Sequence, residues 1–462
     1  MAIASKASRI DFTAEAVQAA EERARIYLQE ISQRRVYPTG AALAALARFR
    51  EPFPESPSRA TDVIRMLDEI GSPATVATTG GRYFGFVIGG TLPGSLAAGR
   101  LVTTWDQNCA FRVMSPLVAE IEEVVLDWVC EIFGLPQNCE GGIVTCATAA
   151  NFTALVSARN ALLDRNGWSV ADDGLFAAPP IDVVVGEEVH AAVLKALSLA
   201  GLGQKRVTVV PADSEGRMRA DQLPKLQKNS LVCIQAGNVN TGSFDLASEI
   251  CRRAHDSEAW VHVDGAFGLW AAASPKYRHL VSGFEQADSW ATDAHKWPNV
   301  NYDCGIVLVR DSRALRQAMS ISAAYLKPGL SREPANQTPE ASRRARAVEL
   351  WAGLKSMGKQ GLAELIERTC AHAQRFASGL REAGYEILND VVINQVLVSF
   401  GAAETTTEVM RRVQDDGTCW CGGTVWQGKT AMRISVSSWA TTEEDVEESL
   451  AAIIRIAREV RG

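Results

Sequence analysis

Five short runs of mostly β-branched residues, Ile181–Val185, Arg206–Val210, Leu231–Ile234, Trp260–Asp264 and Gly305–Val309, recur between longer stretches with helical spacing. Runs that are apolar at nearly every position are strands buried on both faces, and the intervening helices supply the cover. The chain is therefore read as an α/β protein with a mostly parallel sheet, in which ligands sit beyond the carboxyl ends of the strands. The segment from Ser115, PLVAEIEEVVLDWVCEIFGLP, is an amphipathic helix that stops at Gly134 and Pro136. Residues from about Thr13 to Glu69 read as helical pieces broken by Pro52, Pro54 and Pro57. Near the other end, a helix runs through Arg346–Trp351, and the strand Met432–Val436 leads into a capped helix at Thr441–Asp445, which suggests a smaller α/β domain. The expected division is an N-terminal helical segment (1–75), a large domain (76–330) and a small C-terminal domain (331–462).

Composition narrows the class. With 462 residues, 47% hydrophobic, the chain can bury a large core. A net charge of −7 argues against a general nucleic-acid surface, so any anionic ligand needs a local site. The first residues lack an apolar core of signal-peptide length, and no stretch approaches the roughly 18 apolar residues of a membrane span. The expectation is a cytoplasmic protein with no membrane or nucleic-acid partner. The ten cysteines show no paired metal spacing, and reduced, mostly buried thiols are expected, with no metal site.

Four features fall where the strand reading puts a pocket. Thr145–Asn151 (TCATAAN) runs small residues into a helix, exposing backbone N–H groups that suit a phosphate dianion, although such residues also serve simple tight packing. Asp264 ends the strand WVHVD, where a carboxylate can bond a protonated pyridine nitrogen or equally cap the next turn. Lys296, in Asp293-Ala-His-Lys-Trp297, lies 32 residues after Asp264, in the next strand unit. Most lysines are solvated, but an aldehyde cofactor requires one amine in such a pocket. His190 follows the strand 181–185 and could lie flat on an aromatic ring or carry a proton; a lone histidine at a helix start is usually structural.

In this order, TCATAAN, EEVHAAVLKA, GNVNTGSFD, WVHVDGAFG and DAHKW resemble the group II pyridoxal 5′-phosphate (PLP)-dependent amino-acid decarboxylases of aminotransferase fold type I, over roughly residues 80 to 360. The resemblance implies a seven-stranded, mostly parallel large-domain sheet, a homodimer with its active site at the subunit interface, and decarboxylation of an L-amino acid at the α-carbon. It implies that Lys296 holds PLP as an internal aldimine, which the substrate amine displaces on the way to a quinonoid intermediate. Asp264 would pair with the pyridine nitrogen, His190 would stack on one ring face and act in catalysis, and Ala266 would press on the other face. Ala147 and Thr148 would hold the phosphate through backbone N–H groups, with His295 close by. Asn238 stands where relatives often carry threonine near the ring hydroxyl.

Several features depart from that pattern or stand beside it. The loop Lys327–Glu340 lacks the tyrosine that returns a proton to the α-carbon in several relatives, while Tyr325 lies just before it. This motivates an aldehyde-forming oxidative decarboxylase or a carbon–carbon lyase as an alternative, and a non-catalytic relative as a further one. Tyr83, Phe84, Phe86 and Trp105–Asn108 are candidates to shape the substrate pocket, and Arg433 to meet a substrate carboxylate. The basic run Arg343, Arg344 and Arg346 reads as a solvated or interface helix face.

Overall fold

A computed structural model describes residues 14–320 and 332–462. The large sheet contains β1 (Glu140–Val144), β2 (Asp182–Gly186), β3 (Thr208–Val210), β4 (Ser230–Gln235), β5 (Trp260–Asp264), β6 (Ser289–Asp293) and β7 (Gly305–Val309). Their spatial order is β1-β7-β6-β5-β4-β2-β3, with only β7 antiparallel to its neighbours. This is the seven-stranded, mostly parallel sheet of fold type I that the resemblance implies. All five apolar runs became strands. β1 and β6 escaped the β-branched criterion because glycines and polar residues fill them. Gly141 and Gly142 are required in β1, since a Cβ there would lie 2.3 Å from the Val307 carbonyl or 2.6 Å from the Thr338 methyl.

Both faces of the sheet are covered, as near-continuous apolar strands require. Val232, Ile234, Val261, Val263, Trp290, Ile306 and Leu308 join one core with the helix Pro116–Phe133. That helix ends at Gly134 with φ of 65°, a left-handed stop that favours glycine. Val183, Val185, Leu231, Trp260 and Val307 build the opposite core with the helices Ala147–Asp164, Ala191–Leu199 and Ser312–Met319. A second, antiparallel sheet holds β8 (Glu386–Ile387), β9 (Gln395–Ser399), β10 (Gly422–Trp426) and β11 (Lys429–Ser435) in the order β10-β11-β9-β8. The long helix Arg346–Glu382, broken at Gly358, joins the two cores: Leu350, Leu354 and Ile366 face the large one, and Phe376 and Leu380 the small one. The last helix, Glu443–Arg461, starts with a capping box between Thr442 and Asp445, as its sequence signals.

Two polar networks fix this frame. His262 is fully buried in β5, its Nδ1 lying 2.9 Å from Ser289 Oγ and its Nε2 2.7 Å from Asn151 Oδ1. It thus ties β5 to β6 and to the helix Ala147–Asp164. Burial drives its pKa down to about 3 from an ordinary 6.5. Below about pH 6.5 the unfolded chain takes up a proton that the folded one refuses, so stability falls with pH until the folded value is reached. Between about pH 6.5 and about pH 4.5 the wild type should lose about 2 kcal/mol more than His262→Gln in urea denaturation; parallel pH profiles would contradict this.

The second network corrects the reading of the basic run as a solvated or interface face. Arg343 is buried, donating to Glu122 Oε2 at 2.9 Å and to the Ile143 carbonyl at 2.7 Å. Arg344 pairs with the buried Glu349, and Arg346 with Asp303. Arg343 and Arg346 meet carboxylates 221 and 43 residues away, partners that helix-face charge patterning cannot reveal, whereas the partner of Arg344 lies only five residues on. All ten cysteines are free, and seven are buried. Among the described residues, no helix is long and apolar enough to cross a membrane.

Candidate active site

The carboxyl ends of β5 and β6 meet the starts of two helices. Asp264, the last residue of β5, is buried and accepts the Ala266 N–H at 3.2 Å. Its other carboxylate oxygen has no hydrogen-bond partner among the described residues. Burial pushes its carboxyl pKa up, against the opposing pull of His190 and Lys296. His190 caps the helix Ala191–Leu199: its Nδ1 accepts the Ala192 N–H at 3.1 Å, which leaves the proton of a neutral ring on Nε2. Burial lowers the imidazole pKa, with Asp264 opposing and Lys296 and Arg433 reinforcing the shift. His190, Asp264 and Lys296 are therefore electrostatic neighbours, although they lie on three separate chain segments.

Lys296 follows β6, with its side chain 20% exposed and its Nζ 3.1 Å from Asp293 Oδ2. Asp293 also accepts the Ala147 N–H at 2.5 Å, linking the lysine segment to the start of the helix Ala147–Asp164. Within that first turn, the Thr148 and Ala149 N–H groups have no acceptor among the described residues. His295 lies with Nε2 3.5 Å from Asp293 Oδ2, and its Nδ1 accepts the Cys304 N–H. Burial lowers its pKa. The Tyr302 ring stacks on it at 4.2 Å. Ala266 joins the two strand ends, since its N–H reaches Asp264 and its carbonyl accepts the Asp293 N–H at 2.9 Å. Gly89 crosses the Lys296 backbone so closely that a Cβ would lie 1.8 Å from the Lys296 carbonyl oxygen, so the chain around Gly89 borders the site.

The remaining candidates divide. Asn238 is buried, but its carboxamide oxygen accepts the Asn240 and Thr241 N–H groups and so shapes its own loop. The neighbouring Asn240 instead accepts from the Arg433 guanidinium at 3.2 Å. Arg433 has no carboxylate partner among the described residues, and burial lowers its pKa. Phe84 belongs to the small core, against Phe376. Tyr83 and Phe86 stack on Trp420 at 5.0 and 5.6 Å. Asn108 holds a turn by accepting from the Ala110 and Arg343 N–H groups, while Trp105 is 41% exposed. Tyr325 and Lys327–Ser331 lie outside the described residues.

Sequence reasoning missed Asp293, Tyr302 and Trp420 as parts of this arrangement. The strand-end rule that selected Asp264 selects Asp293 as well, once Ser289–Asp293 is read as a strand. Tyr302 and Trp420 carry no such positional signal.

The donor set fits PLP. It offers a partly buried amine, a buried carboxylate with one oxygen unpartnered, an imidazole beside both, and unpaired N–H groups at a helix start, which suit a phosphate.

Comparison with known proteins agrees. A family model described as the pyridoxal-dependent decarboxylase conserved domain matches residues 47–402. An aromatic-L-amino-acid decarboxylase from Drosophila lebanonensis is 30% identical over 366 residues, covering 73% of this chain and 88% of that protein. Tyrosine decarboxylase 2 from Narcissus pseudonarcissus is 26% identical, covering 86% and 84%. Oryza sativa TDC, solved with PLP and tryptamine, shares the fold at a TM-score of 0.90 and 22% identity, over 98% of this chain and 99% of that one. The chain belongs to the pyridoxal-dependent decarboxylases, PLP-using carboxy-lyases that act at the α-carbon of an amino acid.

Proposed function

We propose that Lys296 carries the cofactor, that Asp264 faces its pyridine nitrogen, and that Ala147, Thr148 and His295 receive its phosphate. His190 and Ala266 flank the ring on opposite faces, and Asn238 shapes the loop beside it. The observation that carries this reading is the convergence of His190, Asp264 and Lys296: Asp264 raises and Lys296 lowers the His190 pKa, and both cations oppose the upward shift that burial gives Asp264. When bound, PLP supplies the electron sink for the pair left behind as carbon dioxide departs.

The chain's own residues do the rest. Asp264, as a carboxylate, would hold the ring nitrogen it faces in its protonated form by charge. His190, with its neutral-ring proton on Nε2, orients the cofactor ring and holds a proton near the reacting carbon. Arg433, part-buried and with no carboxylate partner among the described residues, receives a substrate carboxylate. Tyr83, Phe86 and Trp420 offer stacked aromatic faces, which together with relatives named aromatic-L-amino-acid and tyrosine decarboxylases support an aromatic substrate. The exposed large apolar side chains Phe86, Leu101, Trp105, Val113, Met114 and Leu117 support their burial against a second copy of the chain, in a homodimer. Residues 76–330 form the cofactor-binding domain, to which the C-terminal domain from 331 adds Arg433, and the enzyme works in the cytoplasm.

Incubation with a panel of L-amino acids, with carbon dioxide, amine, aldehyde and peroxide all measured, tests this function. Carbon dioxide and amine in equal amounts from an aromatic amino acid are expected. Aldehyde with peroxide in place of amine would favour the oxidative alternative, in keeping with a relative named phenylacetaldehyde synthase and with the absence of tyrosine between residues 327 and 340. No carbon dioxide from any amino acid would overturn both readings.

A further inference from the structure

Asp293 places a carboxylate against the groups expected to hold the cofactor phosphate. Its side chain is 3% exposed. One oxygen accepts the Ala147 N–H at 2.5 Å, while the other lies 3.1 Å from Lys296 Nζ and 3.5 Å from His295 Nε2. A backbone N–H at a helix start, an ammonium and an imidazole are the partners that an oxyanion seeks. The residue that precedes this helix, Cys146, makes no side-chain cap, so Asp293 caps the helix from another strand. A cap alone needs no ammonium. The reach to Lys296 gives Asp293 both the position and the charge of a bound anion. A second oxyanion brought to the same donors meets like-charge repulsion at short range unless one of the two gives way or takes a proton.

We propose that Asp293 is an internal competitor for the phosphate cradle, holding the Ala147 N–H and the Lys296 ammonium and thereby setting the chain's affinity for phosphorylated pyridoxal compounds. This rests on the assignment of Ala147 and Thr148 as the phosphate site. Asparagine at 293 keeps an oxygen for the Ala147 N–H and removes the charge, so it isolates the repulsion from the geometry.

The test uses the full chain stripped of cofactor, titrated calorimetrically with pyridoxamine 5′-phosphate and with pyridoxamine. Neither probe carries an aldehyde, so Lys296 forms no imine with them. Asp293→Asn is expected to bind pyridoxamine 5′-phosphate about tenfold or more tighter than wild type, with inorganic phosphate competing correspondingly better and pyridoxamine affinity unchanged. Asp293→Ser, which also removes the charge, provides the same reading if the asparagine variant does not fold. Unchanged or weaker affinity for pyridoxamine 5′-phosphate in these variants overturns the proposal. Equal tightening for both probes also overturns it, because the charge would then act at the ring. Should wild type bind the two probes equally well, the phosphate assignment itself fails and the proposal with it, an outcome distinct from a silent Asp293 variant.

Discussion

Lys296→Ala is expected to lower kcat/KM for decarboxylation on the order of a thousandfold or more, the scale seen when a residue that bonds covalently in the reaction is removed. The imine absorbance of the bound cofactor should vanish in the same variant. Lys296→Arg should not restore either, because a guanidinium stays protonated and cannot form the imine. The fold should survive, since the lysine is partly exposed and its ion partner Asp293 keeps the Ala147 N–H. A thermal melt close to that of wild type, alongside lost activity, separates chemistry from stability. Retention of the imine band in Lys296→Ala would remove the lysine from its assigned role.

Asp264→Asn carries the second largest expected effect, a fall in kcat of about 10²–10³, comparable to the loss of one preorganised charge contact in other enzymes. The amide keeps an oxygen for the Ala266 N–H, so the loop should stay in place. It cannot hold a facing ring nitrogen in its protonated form by charge. Stability of the cofactor-free chain should respond in the opposite sense. Burial raises the folded pKa of Asp264 above its ordinary 3.8, so over that window the folded state binds the extra proton and stability falls as pH rises. In Asp264→Asn that decline should be absent, and urea denaturation of the cofactor-free variant across the acid range reads it directly. A variant with wild-type kcat would show that the carboxylate faces something other than the reacting cofactor.

The sequence made the architecture readable wherever strands were apolar throughout. Strands such as Trp260–Asp264 and Gly305–Val309 announce burial on both faces. β6 did not, because Ser289, Thr292 and Asp293 are buried polar groups whose partners, Trp260 and His262 for the serine and Ala147 for the aspartate, lie on other segments. The buried arginines were misread for the same reason: Arg343 looks solvated until Glu122, more than two hundred residues away, is placed beside it.

Asp264, Lys296 and His190 could be chosen as candidates from the sequence because each follows a strand end or opens a helix, positions that an α/β sheet brings together. The orientation of Asn238 was not legible, since whether a carboxamide faces a ligand or its own loop is decided by two backbone N–H groups that no motif specifies. Trp420, far beyond the ordered motifs, joins Tyr83 and Phe86 only through the fold.

Borohydride reduction of the purified holoenzyme, followed by proteolysis and mass spectrometry, tests the central claim most directly. Reduction fixes the cofactor on whichever amine holds it. The account predicts a phosphopyridoxyl group on the peptide containing Lys296 and on no other lysine. A label on a different lysine, or a holoenzyme whose absorbance is untouched by borohydride, would contradict it.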